Sequence, residues 1–293
     1  MIHVVTHCDR NYEAMARCML ASLRRVSTGL HHHLVWCDEQ PSSIKDSPIN
    51  VHQLSELHSW PRLQQIRNTR IGKFWFWSLE PAIVDHFLSL CQDGDMVLYV
   101  DADSYFFQDP IPAIEQSLGK NACVALSLHC FPPDKKDRER TCGKFNFGCG
   151  AFVACHDSRA VVAEWLDQTM EKCDESKNDQ HHLDEWPEKL GSRLAELPRG
   201  INVGPWQLMY TPRVGSVVVY NGRVHESWKT GDGSAGCSSP LISYHFHEFR
   251  RGFGRNQITL NGEAWNRTNY ELHPDTIESV YKAYEKELTV FLK

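Results

Sequence analysis

Short apolar runs alternate with amphipathic segments through the first 130 residues of the chain. Ile2–Thr6 is an apolar run that ends at Thr6-His7-Cys8-Asp9 and predicts a strand. Met15, Cys18, Met19, Ser22, Leu23 and Val26 share one face at helical spacing, with Arg24 and Arg25 near the end and Gly29 beyond it. Leu34-Val35-Trp36-Cys37 predicts a second strand, stopped by Asp38-Glu39-Gln40-Pro41, and Ile49–Leu54 predicts a third. A longer helical pattern runs from about Ile66 to Leu90, with Pro81 as a candidate break. Asp95 to Asp101 (DMVLYVD) is a buried-strand pattern that ends in acid. Strand, helix and strand in repetition predict an α/β fold with a mostly parallel central sheet flanked by helices.

The second half is less regular. Residues 134–144 (DKKDRERTCGK) read as a charged, solvated loop, and residues 229–239 (KTGDGSAGCSS) as a flexible one; both could close over a ligand as lids do. Phe145–Cys155 predicts a strand, Arg159–Lys172 a helix, Leu241–Phe246 a strand and Thr276–Leu292 an amphipathic closing helix. There is no internal repeat and no obvious linker. The division expected is a principal domain over 1–254 and a helical extension over 255–293 packed on it.

Composition narrows the class. Across 293 residues, 31 basic against 37 acidic residues leave a net charge of −6 with no basic block, which argues against a nucleic-acid binder. No apolar run approaches the ~18 residues of a membrane span, and MIHVVTHCDR carries no export signal, so a cytoplasmic location is expected. Peripheral contact with a membrane stays open. The 11 cysteines are odd in number and unevenly spaced, the pattern of reduced, mostly buried thiols. No paired ligand spacing of the zinc type is present, which argues against a zinc site.

The strongest chemical signal is Tyr99-Val100-Asp101-Ala102-Asp103. A buried strand delivers two carboxylates at its C-terminal end, where ligands bind in open α/β sheets. If the chain stays extended the two acids converge; a turn would separate their roles. Hard divalent cations prefer carboxylate oxygen and often keep phosphate oxygens as further ligands, so the pair suits a metal that grips a diphosphate. The plain structural alternative is a strand ending in solvated Asp. Lys73 lies among aromatics in GKFWFWSL, where a snorkelling surface Lys is the alternative. Asn146 sits with Gly148 and Gly150 inside a strand, a sign of a bulge or a close backbone approach. Asp179-Gln180 opens a short helix, where Asp179 could be no more than a cap. His245 and His247 lie on one face of a strand and suit Mn²⁺ beside two carboxylates, or are satisfied core histidines. His31-His32-His33, ahead of a strand, is expected at the surface.

Taken in order, these segments resemble the GT-A glycosyltransferases, most closely the glycogenin-type and lipopolysaccharide-galactosyltransferase group and its bacterial relatives. The shared strings are YVDADSYFFQDP at 99–110, GKFNFGCGAFV at 143–153, DQHHLDEWP at 179–187, GINVGPW at 200–206 and YHFHEFR at 244–250, with GKFWFWSL at 72–79 as the Lys-containing helix. The resemblance implies a GT-A, Rossmann-like nucleotide-diphospho-sugar transferase fold over about residues 1–250. It implies a hexosyltransferase-like enzyme using Mn²⁺ or Mg²⁺ and a UDP-sugar donor, acting on a glycan, lipid-linked or protein acceptor with retention. Asp101 and Asp103 would match the metal and ribose-diphosphate pair, with Ala102 between them. His245 would match the third metal ligand, with His247 as the alternative. Lys73 would approach the donor phosphate or sugar, Asn146 would hold the sugar, and Asp179 and Gln180 would lie near the anomeric carbon. Thr6, His7 and Asp9 would take the uridine. Glu248 stands where relatives carry Gly, and Arg250 and Arg251 replace a phosphate-binding Lys. Two other readings are a sugar-1-phosphate nucleotidyltransferase, opposed by the glycine-free loop Thr6–Arg10, and a catalytically inactive nucleotide-sugar-binding protein.

Overall fold

A computed structural model describes residues 1–39, 44, 48–208, 215–230 and 233–292. The first apolar run forms β1 (Ile2–Cys8), followed by α1 (Glu13–Val26), β2 (His31–Trp36) and β3 (Ile49–Gln53). Gln40 and Pro41 of the second strand's stop signal lie outside the described residues. The histidine triplet belongs to β2 instead of preceding it, because His31–His33 pair in register with His3–Val5 of β1, and His32 is buried. α2 (Trp60–Ile66) and α3 (Lys73–Leu90) follow, and α3 runs through Pro81 without a break. Leu79, Ala82, Ile83 and Val84 around that proline are fully buried, so packing outweighs the lost N–H and the ring's clash with the preceding turn.

β4 (Met96–Val100) enters the middle of the sheet; β5 (Ser104–Phe106), α4 (Ile111–Leu118) and β6 (Val124–Leu128) come next. The charged segment expected as a loop is a 3₁₀ turn over Pro133–Arg138 and a one-turn helix α5 (Glu139–Cys142), closed by Gly143 at φ +85°. β7 (Phe145–Val153), α6 (His156–Glu171), α7 (Asp179–Leu183), α8 (Trp186–Leu190) and β8 (Leu194–Glu196) complete the principal layer.

Among the described residues the large sheet has the order β3-β2-β1-β4-β7-β6-β8. Its pairs are parallel except where β7 meets β4 and β6. The expected mostly parallel α/β sheet is therefore the observed one. Alternation decides which residues face which layer. Val5, Val35, Val97 and Tyr99 pack under α3 and α6, against Ile83, Phe87 and Trp165. Val4, Leu98 and Val100 point the other way, onto Met19 and Leu23 of α1 and Ile114 of α4. The register between β6 and β7 slips between Leu126, opposite Gly150, and Ser127, opposite Asn146; this is the irregularity that the β7 glycines announced.

The C-terminal third differs from expectation in two places. The described part of residues 229–239 is strand: β9 (Gly215–Tyr220), β10 (Arg223–Thr230) and β11 (Gly233–Pro240) pair antiparallel in the order β11-β10-β9. Backbone pairing from Arg223↔Pro240 to Thr230↔Gly233 holds that Gly/Ser-rich strand, whatever its composition suggests, while Gly231 and Asp232 lie outside the described residues. Residues 255–292 are helical only toward their end. A hairpin of β14 (Gln257–Leu260) and β15 (Glu263–Asn266) follows β12 (Ser243–His245) and β13 (Arg250–Arg251). A turn α9 (Pro274–Thr276) then leads through a π-helical stretch, Ile277–Tyr281, into α10 (Lys282–Phe291). Tyr244, Phe246, Phe249, Trp265, Tyr281 and Tyr284 bury together there, with Phe246 stacked on Tyr284 at 3.8 Å. That core braces β12, whose partner is β5.

Candidate functional site

β4 ends at Val100, and the chain turns at once: Ser104 N–H donates to Asp101 O at 3.1 Å. This turn does not separate the two acids. β5 leaves it paired antiparallel with β12, in the register His245↔Ser104, and so brings His245 from far along the chain to the same point. One ligand atom from each of Asp101, Asp103 and His245 lies within 4.8 Å of the others. His245 Nε2 is 3.2 Å from Asp103 Oδ1 and 3.7 Å from Asp101 Oδ2. Ligands about 2.1 Å from an octahedral ion stand about 3.0 Å apart when adjacent and about 4.2 Å when opposite. Two carboxylates and one imidazole in that range fit Mg²⁺ or Mn²⁺ by both spacing and donor type.

The hydrogen bonds behind His245 fix which of its nitrogens faces the acids. Gly143 O can only accept, so His129 Nδ1, 2.9 Å away, carries a proton. Burial pushes His129 down to about 3, so the ring is neutral and its Nε2 accepts from Asn146 Nδ2 at 3.3 Å. Asn146 Oδ1 then accepts from Gly148 N–H at 3.1 Å and from Asn202 Nδ2 at 2.8 Å. Asn202 Oδ1 is left to accept from His245 Nδ1 at 3.2 Å. Asn202 thus engages His245 Nδ1 and leaves Nε2, the nitrogen that would ligate a metal, turned toward the acids. Asn202 holds this place at φ +59°, a backbone region that Asn tolerates better than most residues.

A second line of bonds supports Asp101. The Tyr99 hydroxyl donates to Asp101 Oδ1 at 2.9 Å and accepts from His7 Nδ1 at 3.0 Å. Desolvation pushes the Asp101 carboxyl up to about 6, with His245 opposing and Asp103 reinforcing the shift. For Asp103 desolvation also acts upward, but His245 outweighs it and the net direction is down. The same contacts outweigh desolvation at His245 and raise its pKa.

Asp179 is not the cap of its helix. Asn178 takes that role, accepting from His181 N–H at 3.1 Å, and Asp179 is 1% exposed. Both Asp179 oxygens are buried, and the N–H groups of Asp179 and Gln180 at the start of α7 are the backbone donors that act on them. The Asp179 carboxyl faces that of Glu80, buried in α3, and two carboxyls bond only when one holds a proton. Desolvation, and after it Asp179, push Glu80 well above the carboxylate range. Desolvation takes Asp179 up to about 7, Glu80 opposes, and Asp101 adds to the rise. Gln180 Oε1 accepts from Phe147 N–H at 2.7 Å, one residue from Asn146.

The remaining expected positions lie farther out or serve the fold. Lys73 opens α3 with its side chain 56% exposed, 3.8 Å from Glu175 and over the Phe74 and Trp77 rings; none of its described contacts reaches the acids. Thr6 and Ala102 are buried, and His7 is neutral at pH 7 because burial takes it down to about 4. The Asp9 carboxylate turns back on its own loop, accepting from Asn11 N–H at 2.9 Å and Tyr12 N–H at 3.2 Å. Burial, and after it Asp103, Asp9 and Asp101, raise the pKa of the Tyr12 hydroxyl, and Arg250 opposes them. His247 lies beside His245, with ring centroids 5.8 Å apart, and the Trp206 ring is edge-on to both, at 5.2 Å from His245 and 5.6 Å from His247. Glu248 stands at φ +65°, the left-handed region that Gly favours, and is tied there by Asn269 N–H at 2.9 Å. The sequence reading gave no role to Glu80, Asn202, His129 or Tyr12. Asn202 did stand inside a shared string, whereas Glu80 is hidden in an apolar helix.

A hollow of about 280 Å³ is lined by Phe131, Lys136, Lys144, Arg199, Gln207 and Glu226 among others, with none of the acids or His245 on its wall. A larger one of about 430 Å³ lies on the outer face of α6, against Glu164, Lys189 and Arg193, and holds none of these groups.

No family model matches the chain. Two uncharacterised proteins of Bacillus subtilis (strain 168), YfnF and YfnD, are each 23% identical to it, over 254 and 261 residues. The matches cover 82% and 84% of this chain and 78% of each relative. The galactosyltransferase LgtC, solved with donor and acceptor sugar analogs, superposes with a TM-score of 0.55 at 14% identity, over 98% of this chain and 95% of its own. Mouse xyloside xylosyltransferase 1 in its apo form does so with a TM-score of 0.50 at 12% identity, over 84% and 98%. The chain has the GT-A fold of these glycosyltransferases.

Proposed function

We propose that the protein is a metal-dependent glycosyltransferase that moves a sugar from a nucleotide-sugar, UDP-linked, to a carbohydrate-type acceptor with retention of configuration. The observation that carries this reading is the meeting of Asp101, Asp103 and His245, with Asn202 on His245 Nδ1 so that Nε2 faces the acids. Those three side chains would hold Mn²⁺ or Mg²⁺, which when bound stabilises the negative charge that develops on a departing diphosphate. Tyr99 orients Asp101, and Asn202 orients His245. Arg250 and Tyr12 would meet the diphosphate and nucleoside. Lys73 would reach the donor only by leaving Glu175, a solvent-exposed partner that holds it weakly.

Asp179 and Gln180 are assigned to positioning. Asp179 is buried against Glu80, and Gln180 Oε1 is engaged by the β7 backbone, so neither is poised as a free nucleophile. Retention by attack on the face that the diphosphate leaves is the reading these contacts support. The hollow lined by Lys136, Lys144, Arg199 and Glu226, with both charges on its wall, suits a hydroxyl-rich or phosphorylated acceptor. The nucleotidyltransferase reading loses support at the first loop, because Asp9 already occupies the N–H groups of Asn11 and Tyr12 that a phosphate would need.

The test is donor hydrolysis across UDP-glucose, UDP-galactose and their N-acetyl forms, with and without Mn²⁺. Asp103→Ala should abolish metal-dependent turnover while the melting temperature stays near that of the wild type. Undiminished turnover in that variant refutes the assignment. Thermal stabilisation by UDP with metal, without hydrolysis of any donor or transfer to any acceptor, points to a binding protein.

A further inference from the structure

The opposite end of the sheet carries a second group of metal-type ligands. His3 of β1, Cys91 at the C-terminal end of α3 and Asp95 just before β4 bring one ligand atom each within 4.8 Å of one another. Cys91 and Asp95 are 9% and 8% exposed, and His3 is half-buried. Asp95 and Asp101 lie at opposite ends of β4, about 20 Å apart at the rise of a strand, so this group is separate from the acid-lined rim.

The row of imidazoles across β1, β2 and β3 repeats the logic seen at His245. Glu56 Oε2 lies 3.4 Å from His52 Nδ1 and calls for a proton there. His52 Nε2 then accepts from His33 Nδ1 at 3.0 Å, and His33 Nε2 accepts from His3 Nδ1 at 3.1 Å. Every ring donates toward Glu56, and His3 keeps its Nε2 lone pair. Asp95 already attracts a cation: Oδ1 takes the α-ammonium of Met1, and Oδ2 accepts from Gln92 N–H at 3.0 Å.

We propose that His3, Cys91 and Asp95 form a structural site for a divalent transition cation of the zinc class, with His33 and His52 orienting His3. Thiolate, imidazole and carboxylate together select a borderline ion over Mg²⁺. Tetrahedral ligands of Zn²⁺ stand about 3.3–3.8 Å apart, a spacing within reach of three atoms that already lie within 4.8 Å of one another. The paired spacing that marks zinc sites in sequence is absent because the ligands come from β1 and from the α3–β4 turn. On binding, Cys91 releases its thiol proton to solvent and the Met1 ammonium leaves Oδ1; no electron changes hands. The ion would clamp the start of β1 to that turn and stabilise the folded chain by linkage.

The probe is Co²⁺ alone, titrated into the Asp103→Ala protein so that the rim site is silent. One equivalent should bind with a thiolate-to-cobalt charge-transfer band and tetrahedral d–d absorption, and Zn²⁺ should displace it. His3→Gln should weaken binding more than about 10-fold, and Cys91→Ser should remove the band while leaving donor turnover unchanged in an otherwise wild-type chain. Should either substitution unfold the protein, anomalous diffraction at the zinc edge from Zn²⁺-soaked crystals of the Asp103→Ala protein locates the ion without it. No thiolate band, a band that survives in Cys91→Ser, or an ion placed elsewhere overturns the proposal.

Discussion

Gly148 is the residue on which the candidate metal site makes its sharpest demand. A Cβ built there would lie 2.3 Å from His245 Nδ1, 2.6 Å from Asn202 Oδ1 and 2.8 Å from His245 Cε1. Ordinary contact begins about 1 Å farther out. His245 is 4% exposed and its ring centroid lies 5.2 Å from that of Trp206, so its ring has little room to retreat. Gly148→Ala must therefore break the His245–Asn202 bond. Overpacking costs about 1–3 kcal/mol, and a buried, unpaired Asn202 oxygen about 1–3 kcal/mol more. Loss of the bond that orients a ligating imidazole should lower Mn²⁺ affinity about 10–100-fold, or about 1.4–2.8 kcal/mol. Gly150→Ala on the same strand supplies the control. Its Cβ would meet Phe147 at 2.8 Å, Phe152 at 3.2 Å and Leu126 at 3.3 Å, all apolar side chains, so it should cost stability and spare the metal. Mn²⁺ titration followed by electron paramagnetic resonance, beside thermal melts, separates the two. The reasoning fails if folded Gly148→Ala binds Mn²⁺ within about threefold of the wild type, or if Gly150→Ala loses affinity equally.

Asn202→Ala removes the acceptor for His245 Nδ1 and should lower Mn²⁺ affinity about 10–100-fold, read by the same titration; unchanged affinity would show that the imidazole is oriented by other means. The Asp179–Glu80 pair sets a pH dependence. Desolvation holds Asp179 at about 7 against its ordinary 3.8, so the folded chain binds a proton that the unfolded chain gives up between those values. Stability from the protonated pair is complete below about pH 4 and is lost as pH rises toward 7. Glu80→Gln supplies an amide donor to Asp179 at every pH and should flatten that decline in urea unfolding between pH 5 and 8. Parallel curves for variant and wild type would refute the shared proton.

Much of the sheet was legible because its strands are short apolar runs closed by acids or turn residues, and because α1 carries its apolar stripe at helical spacing. The Asp101–Asp103 pair was legible for the same reason: a buried strand that ends in two carboxylates is conspicuous in one dimension. What escaped the sequence reading depends on pairing across distance. β11 looks like a linker because Gly and Ser dominate it, yet a strand's partners, not its composition, satisfy its backbone. Glu80 sits in the most apolar helix of the chain, and nothing local says that it faces Asp179. The histidines of β2 read as surface residues because their partners, His3 and His52, lie on other strands.

The two metal-type clusters share one physical device, and it explains why so many uncharged polar side chains are buried here. An imidazole can present either nitrogen, and a ligand site needs the choice made in advance. At the rim the choice is made by Gly143 O, which can only accept, and it passes through His129, Asn146 and Asn202 to His245. At the other end Glu56 makes it for His52, His33 and His3. In both lines the terminal group is an obligate acceptor, so every donor points the same way. Gly143 also closes α5, at the end of the segment that places Arg138 over Phe131 and Tyr270. The orientation of His245 is thus set from the residue that ends the charged segment, and a lid built from that segment would act on the metal ligand through side chains already in hydrogen-bond contact.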